Sequence, residues 1–517
     1  MRADGFWRRC GGWTSLDTLI AMWAIYYVLR IWIGNEYACA SAFWMNAEVV
    51  LLYYILRCFM AHFLIPSHWI MGALMAISLY EAGLGLSQVI CGTSHHYLYP
   101  MTGSFQNPGP YSAILMLGAV TGLSWMQELN KGKLKDFVLA VTVGILIILP
   151  ATWSRSAILS SLFVALILYR NYYWRWRWAV WLICVVLGVC LYFFKQGSAD
   201  GRLLTWAASM NTWLHYPWFG VGVGGFLKAV ADGISELYAT HPDSTLFESG
   251  GVTDYAFNDL LKTVVEQGIV GALFVVTVVV CSMRLLWVYS KPLFYGMMSL
   301  YVFSMSSYPF ELLPYKIVAV FLVAWAVSVH SNERSEGKTY CWGMLLLVLL
   351  PLSYTVINEN VRRSEADKSY LQFAGIEHEA FIKDYYELLP DERDNARFLF
   401  DFGKILRKHG RYNDSNDMFR QGTLISADPM FYVLMGNNYK DMGHFDLAVQ
   451  SYNRAFSVMP NRIYPLYQLM QLYKDANDVA KAKDYARQII AFNEKIVSRA
   501  TRQMKEDARN YLMEPKQ

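Results

Sequence analysis

Long apolar stretches alternate with short polar turns from the start of the chain to about residue 357, where the alternation stops. A helix needs roughly 20 predominantly apolar residues to cross the hydrocarbon core of a membrane. Stretches near that length lie at 15–33, 46–64, 68–90, 110–126, 137–153, 157–169, 178–195, 268–288, 293–308, 316–330 and 339–357. The pattern therefore predicts about eleven transmembrane helices, with a doubling back in the region 137–169. The first apolar run is long enough to span, so it reads as a retained helix and not as a cleaved signal.

The polar turns are not alike. Arg2, Arg8 and Arg9 precede the first span. Lys131, Lys133 and Lys135 follow the fourth, and Arg170, Arg175 and Arg177 follow the sixth. Arg284 and Lys291 follow the eighth, and Arg334 and Lys338 follow the tenth. If spans alternate, all five basic clusters share one side, which is the cytoplasmic side by the positive-inside rule. The opposite, outer side then receives 91–109, the turn 154–156, a large loop 196–267, the turn 309–315 and everything after residue 357.

After residue 358 charges become dense and a repeat appears. Gly410-Arg411-Tyr412 recurs as Gly443-His444-Phe445, 33 residues later, and Ala427-Asp428-Pro429 recurs loosely as Val458-Met459-Pro460. A third, weaker unit places Leu466, Tyr473 and Ala482 at the matching phase. Helix pairs of about 34 residues with this pattern are the tetratricopeptide signature, and each pair buries its apolar stripe against its neighbour. A plain helical bundle is the rival reading. The expected fold is all-α: a polytopic helix bundle over 1–357, followed by an α-solenoid over 358–517.

Composition agrees. Of 517 residues 55% are hydrophobic and only 17% charged, which is too apolar for an ordinary soluble protein. A net charge of +4 leaves no footprint for nucleic acid. All eight cysteines fall at or before Cys341, without metal-ligand spacing. They read as small core residues, a Cys39–Cys91 disulfide being the alternative. No cofactor or metal is expected.

Candidate chemistry gathers on the outer side. Arg202, in Gly201-Arg202-Leu203-Leu204-Thr205-Trp206, could hold phosphate oxygens through parallel hydrogen bonds, or could be an interfacial anchor. Arg155 interrupts an apolar region between Ser154 and Ser156, where a charge faces either a bound anion or an acidic partner. The turn at 103–110 contains Gln106-Asn107-Pro108-Gly109-Pro110. Its prolines suit a helix entry, which leaves Gln106 and Asn107 unexplained. The run Gly220-Val221-Gly222-Val223-Gly224-Gly225 lacks the context of a nucleotide loop and suits close backbone packing. His95, His96 and His241 are possible bases. Glu48, Glu81 and Glu266 lie in apolar surroundings and need partners, Arg57 being one possibility.

At these motifs the chain resembles the O-antigen ligase and polymerase family, which includes the bacterial protein O-oligosaccharyltransferases. The resemblance covers roughly 80–330. It rests on Glu81 and Gln88, the turn at 103–110, Ser154-Arg155-Ser156, Gly201-Arg202 with Trp206, Pro217 to Phe226, and Asn258 with Glu266-Gln267-Gly268 and Gly271. The tetratricopeptide tail also occurs in this group. What the resemblance implies is transfer of a glycan from undecaprenyl diphosphate to an acceptor hydroxyl, without nucleotide sugar or metal. Arg202 and Arg155 would bind the diphosphate, with Gln106, Asn107, Trp206 and Asn258 as further substrate contacts. Ligases of the family carry a histidine just before the position of Asn258, and this chain has Phe257 there. His241, Asp254 and Glu266 are then the residues left for acid–base work. The acceptor could be a glycan, a lipid or a protein, and the repeat tail could hold a protein partner. A non-catalytic binder of lipid-linked glycan and a polysaccharide flippase are the alternatives.

Overall fold

The computed structural model describes residues 12–33, 40–60, 63–94, 96, 98–194, 196–251, 253–334, 342–495 and 497–513. Arg2, Arg8, Arg9, Cys39, His95, Lys338 and Cys341 lie outside these residues. All regular structure among them is helical. The membrane part comprises α1 (Ser15–Trp32), α2 (Ala40–Met60), α3 (Ser67–Cys91), α4 (Pro108–Glu128), α5 (Lys133–Ile148), α6 (Arg155–Leu168) and α7 (Arg177–Phe194). After an excursion through α8 (Gln196–His215) and α9 (Phe226–Thr240) come α10 (Asp259–Tyr289), α11 (Lys291–Ser304), α12 (Leu313–Arg334) and α13 (Trp342–Leu371).

Among the described residues six stretches are long and apolar enough to cross a membrane: Ala42–Met60, Ser67–Cys91, Lys133–Thr152, Arg170–Phe193, Asp259–Tyr289 and Leu313–Glu333. The chain is thus a multi-pass membrane protein, and the other stretches expected to span are helical too. Helix α4 shows why composition alone undercounts them. Its residues from Pro110 to Gly122 are buried on every side, so its neighbours are protein and not lipid. Close packing favours small residues there. Gly118 lies against Ser78, Gly122 against Thr142, and Gly296 of α11 against Thr121.

The expected large loop at 196–267 is instead two helices and an interlocked turn. Gly268, at φ 65°, breaks the start of α10, and the glycine run packs backbone-to-backbone into that break. Val221 N–H donates to the Val265 carbonyl at 2.9 Å and Gly222 N–H to the Glu266 carbonyl at 2.9 Å. From the other side Ile269 N–H donates to the Pro217 carbonyl at 2.9 Å. A Cβ on Gly220 would strike the Val265 and Glu266 carbonyl groups, and one on Gly268 would strike Trp218. Both positions also need a left-handed backbone, which glycine adopts without strain.

Beyond the membrane α13 runs without a break to Leu371, so the change in composition near residue 358 falls inside a helix. The tail then forms α14 (Ile382–Glu392), α15 (Ala396–Lys408), α16 (Tyr412–Ile425), α17 (Met430–Asp441), α18 (Phe445–Val458), α19 (Tyr464–Asp475), α20 (Val479–Ala491) and α21 (Arg499–Met513). The recurring glycines end helices: Gly410 and Gly443 sit at φ 73° and 78°. The third unit has Asn477 at φ 58° in that place, which is why its repeat is weak in the sequence. Inside the stack, Gly403, Gly422 and Gly436 each receive an aromatic ring, from Phe419, Phe431 and Tyr452.

At the end of the bundle away from the repeats, Arg57 is fully buried and meets Asp17. Its Nε donates to Asp17 Oδ1 at 2.9 Å and its Nη1 to the Ser328 hydroxyl at 2.8 Å, while the Tyr53 hydroxyl donates to Asp17 at 2.7 Å. The acid that meets Arg57 is therefore Asp17 of α1; Glu81 of α3 accepts from Ser104 instead. Removing one partner of such a pair leaves a charge unpaired in an apolar interior. Arg57→Met should lose about 3–5 kcal/mol of stability, read by unfolding in mixed micelles, and Asp17→Asn in the same chain should recover part of that loss. A neutral Arg57→Met would mean that the pair does not tie α1, α2 and α12 together.

Candidate functional site

Four segments meet at the end of the bundle that faces the repeats. The turn at 153–154, with Trp153 in the left-handed region, starts α6 at Arg155. Helix α8 carries Arg202 on its first turns. The connection after α11 supplies Ser306 and Tyr308, and the segment before α10 supplies Tyr255 and Phe257. Arg202 is thus a helix residue with a largely buried side chain, not the exposed loop residue its surroundings in the sequence suggest.

Its Nη1 donates to the Ser306 carbonyl at 2.7 Å and to the Ser156 hydroxyl at 3.3 Å. Its Nε is buried without a hydrogen-bond partner among the described residues. The Phe257 ring covers the guanidinium, 4.7 Å from its carbon. Phe257 reaches this position through a left-handed backbone, φ 52°, which a non-glycine residue adopts only when its surroundings hold it there. The restraint is visible: Trp206 Nε1 donates to the Ala256 carbonyl at 3.0 Å, and the Asn258 side chain caps α10 by accepting from Leu261 N–H at 2.9 Å. Tyr255 stacks on Tyr308 at 3.8 Å, and Tyr308 meets the edge of Phe257 at 5.4 Å.

Arg155 lies near enough for its charge to act on Arg202. It donates to the Leu191 carbonyl at 2.8 Å, at the end of α7. Neither arginine forms an ion pair among the described residues. Burial, and then the neighbouring Arg155 charge, push Arg202 down to about 10. Two close cations without an ion-pair partner among the described residues, one with an orphan N–H, have the chemistry to hold an anion.

The remaining candidates fall in different places. Asp254 is exposed and acts electrostatically on Tyr255 and Tyr308, beside the arginines. His241 ends α9 with its ring against the Thr240 hydroxyl, and no described contact joins it to the arginines. Glu266 is buried in the glycine interlock, where it accepts from Gly224 N–H at 3.2 Å and faces Lys262 at 3.9 Å. Asn107 caps α4 through Gly109 N–H at 2.9 Å, and Gln106 beside it is exposed. Sequence reasoning missed Ser306, Tyr308 and the buried group around Lys262. Lys262 pairs with Glu311 at 2.6 Å, and Asp259 accepts from Phe310 N–H at 3.1 Å, so the turn bearing Tyr308 is tied to α10. Burial opposes the Glu311 charge, but Lys262 outweighs it and holds the carboxyl below its usual range. A charged pair of α10 and the 309–311 turn carries no local pattern that a one-dimensional reading can find.

Residues 140–276 match the O-antigen ligase family model. That domain contains Arg155, Arg202, Trp206, His241, Asp254, Phe257, Asn258 and Glu266. Residues 431–462 match a tetratricopeptide repeat, within the stack that the glycine spacing predicts. No curated protein matches the chain. Among solved structures, "Crystal structure of MamA protein" is 16% identical over 30% of this chain and 87% of that one, with a TM-score of 0.22. "Crystal structure of MamA" is 17% identical over 28% of this chain and 89% of that one, at the same TM-score of 0.22. The chain thus carries, in its membrane part, a stretch similar to the O-antigen ligase family and, in its tail, a tetratricopeptide repeat.

The arginine site makes a stability prediction. A cation held less tightly in the folded chain than in the unfolded one opposes folding, fully so below the folded value. Here the opposing effect lies below about pH 10 and fades between there and the ordinary arginine value. It amounts to about 3 kcal/mol, against roughly 1 kcal/mol for each hydrogen bond lost. Arg202→Met should therefore melt at or above the parent temperature at pH 7, with the gap closing as pH rises past 10. A variant melting several degrees lower at pH 7 would show that Arg202 is built in for stability.

Proposed function

We propose that this protein transfers a glycan from undecaprenyl diphosphate to an acceptor hydroxyl at the periplasmic face of the bacterial inner membrane. The observation that carries the reading is the largely buried Arg202, with its unpartnered Nε and the Arg155 charge beside it. In such a transfer the acceptor oxygen bonds to the anomeric carbon, the bond from that carbon to the diphosphate oxygen breaks, and the diphosphate departs with the electron pair. Negative charge grows on the leaving group, where preorganised cations do the most. Arg202, fixed by Ser306 and covered by Phe257, is preorganised in that sense. The acceptor proton needs a base, and Asp254 at the aromatic rim is better placed than His241. The stacked Tyr255 and Tyr308 offer an apolar shelf for a sugar ring.

The five basic clusters in the sequence support this compartment. Reporter fusions after Lys133 and after Asp394 should give opposite signals, and equal signals would overturn the topology and the periplasmic placing of the site.

Phe257 favours one second reading, a protein that binds lipid-linked glycan without transferring it, since a phenyl ring moves no proton. Purified protein with a lipid-linked donor separates the two. Arg202→Lys keeps the charge but loses the planar fork, and should slow transfer at least about tenfold. Arg202→Ala should slow it further at normal protein levels. Near-parent turnover by Arg202→Ala would remove this residue from the site. Donor binding by the parent without any transfer would favour the binding protein.

A further inference from the structure

The repeat domain does not hang free of the glycan-transfer domain. Its helices α16 and α18 pack on α9, with Ala231 against Ala427 and Val458, and Tyr238 edge-on to Phe456 at 5.6 Å. Arg454 pairs with Asp232, and the Ser235 and Ser457 hydroxyls meet at 2.8 Å. Beyond this contact two side chains of the tail reach a single turn of the membrane part, the 3₁₀ helix Thr245–Ser249.

Asn461 is buried, 6% exposed, and its amide nitrogen lies 2.9 Å from the Phe247 carbonyl, 3.2 Å from that of Glu248 and 2.6 Å from that of Gly250. Lys495 adds an ammonium 2.6 Å from the Ser249 carbonyl and 3.1 Å from that of Gly250. The carbonyls from Phe247 to Gly250 thus all accept from the repeat domain, that of Phe247 in addition to Gly250 N–H. The opposite side of the same turn rests on α8. A Cβ on Gly201 would lie 3.1 Å from the Ser249 carbonyl oxygen, and one on Gly250 would lie 2.8 Å from Leu204. Gly201 is the residue before Arg202, and the chain leaving Gly250 leads to Phe257, the cover of that arginine.

We propose that Asn461, helped by Lys495, is a positioning residue for glycan transfer: it clamps the turn 245–250 against α8 and so sets both Arg202 and Phe257. The repeat domain is then a working part of the donor site, in addition to any partner it holds. This rests on the reading of the arginine pair as the diphosphate site.

Asn461→Asp keeps the shape but turns a donor into a carboxylate facing carbonyls. Asn461→Gln keeps the amide on a longer stem. Lys495→Met removes the second donor from an exposed position, where folding is not at risk. In the full-length protein with a lipid-linked donor, Asn461→Asp should lower kcat about tenfold or more, the effect of losing charge-neutral support at a buried group. Lys495→Met should lower kcat about threefold, and Asn461→Gln should recover part of the loss. KM for the acceptor should stay within about twofold throughout, since no acceptor contact is touched. A purely structural Asn461 would lower yield or melting temperature and leave kcat per folded enzyme at the parent value in all three variants, which overturns the inference. Arg202→Ala is assayed beside them. If it is inactive while the three variants are at parent rate, only the clamp fails. If it too turns over normally, the donor site itself is wrong.

Discussion

A largely buried guanidinium, Arg202, with the Arg155 charge beside it and no ion pair to either among the described residues, is the constraint on which this end of the molecule turns. Folding gains nothing from such a pair, since burial and mutual repulsion both oppose the charge on Arg202. The surrounding fold has to hold it. Ser306 and Ser156 fix one end of the guanidinium, Phe257 closes over its face, and the Arg155 charge keeps its distance by bonding to the end of α7. An anion with several oxygens would relieve this repulsion.

The frame that holds the pair is built from backbone rather than from large side chains. The run at 217–225 and the break at Gly268 interlock because both lack a Cβ at the points of closest approach. Glu266, which reads as a possible acid in the sequence, lends its carboxylate to Gly224 within that interlock. Asn107 and Asn258 likewise cap helices. Several motif residues of the resemblance thus serve the shape of the site, and the groups that face a substrate are fewer than the motifs.

The repeat domain extends the same frame. A solenoid is elastic along its length because each unit touches only its neighbours. Docking α16 and α18 on α9 ties that elasticity to the membrane part, and the bonds from Asn461 and Lys495 end on a turn in contact with α8. Whatever binds the tail therefore acts on a body in mechanical contact with the helix of Arg202.

Much of this was legible in one dimension. Apolar length locates the helices, since a span depends on about twenty neighbouring residues and not on what they pack against. The 33-residue spacing of Gly410 and Gly443 discloses the repeats, because each glycine ends a helix by its own backbone conformation. Arg155 and Arg202 stand out because a charge beside apolar residues needs a reason. What they do with each other depended on the tertiary structure, as did the pairing of Asp17 with Arg57, the burial of Arg202 on a helix and the cover supplied by Phe257. Asp17 and Arg57 sit on different helices, and Asn461 meets Gly250 across some two hundred residues of chain. Such contacts follow from how whole helices pack, and local spacing carries no record of that packing.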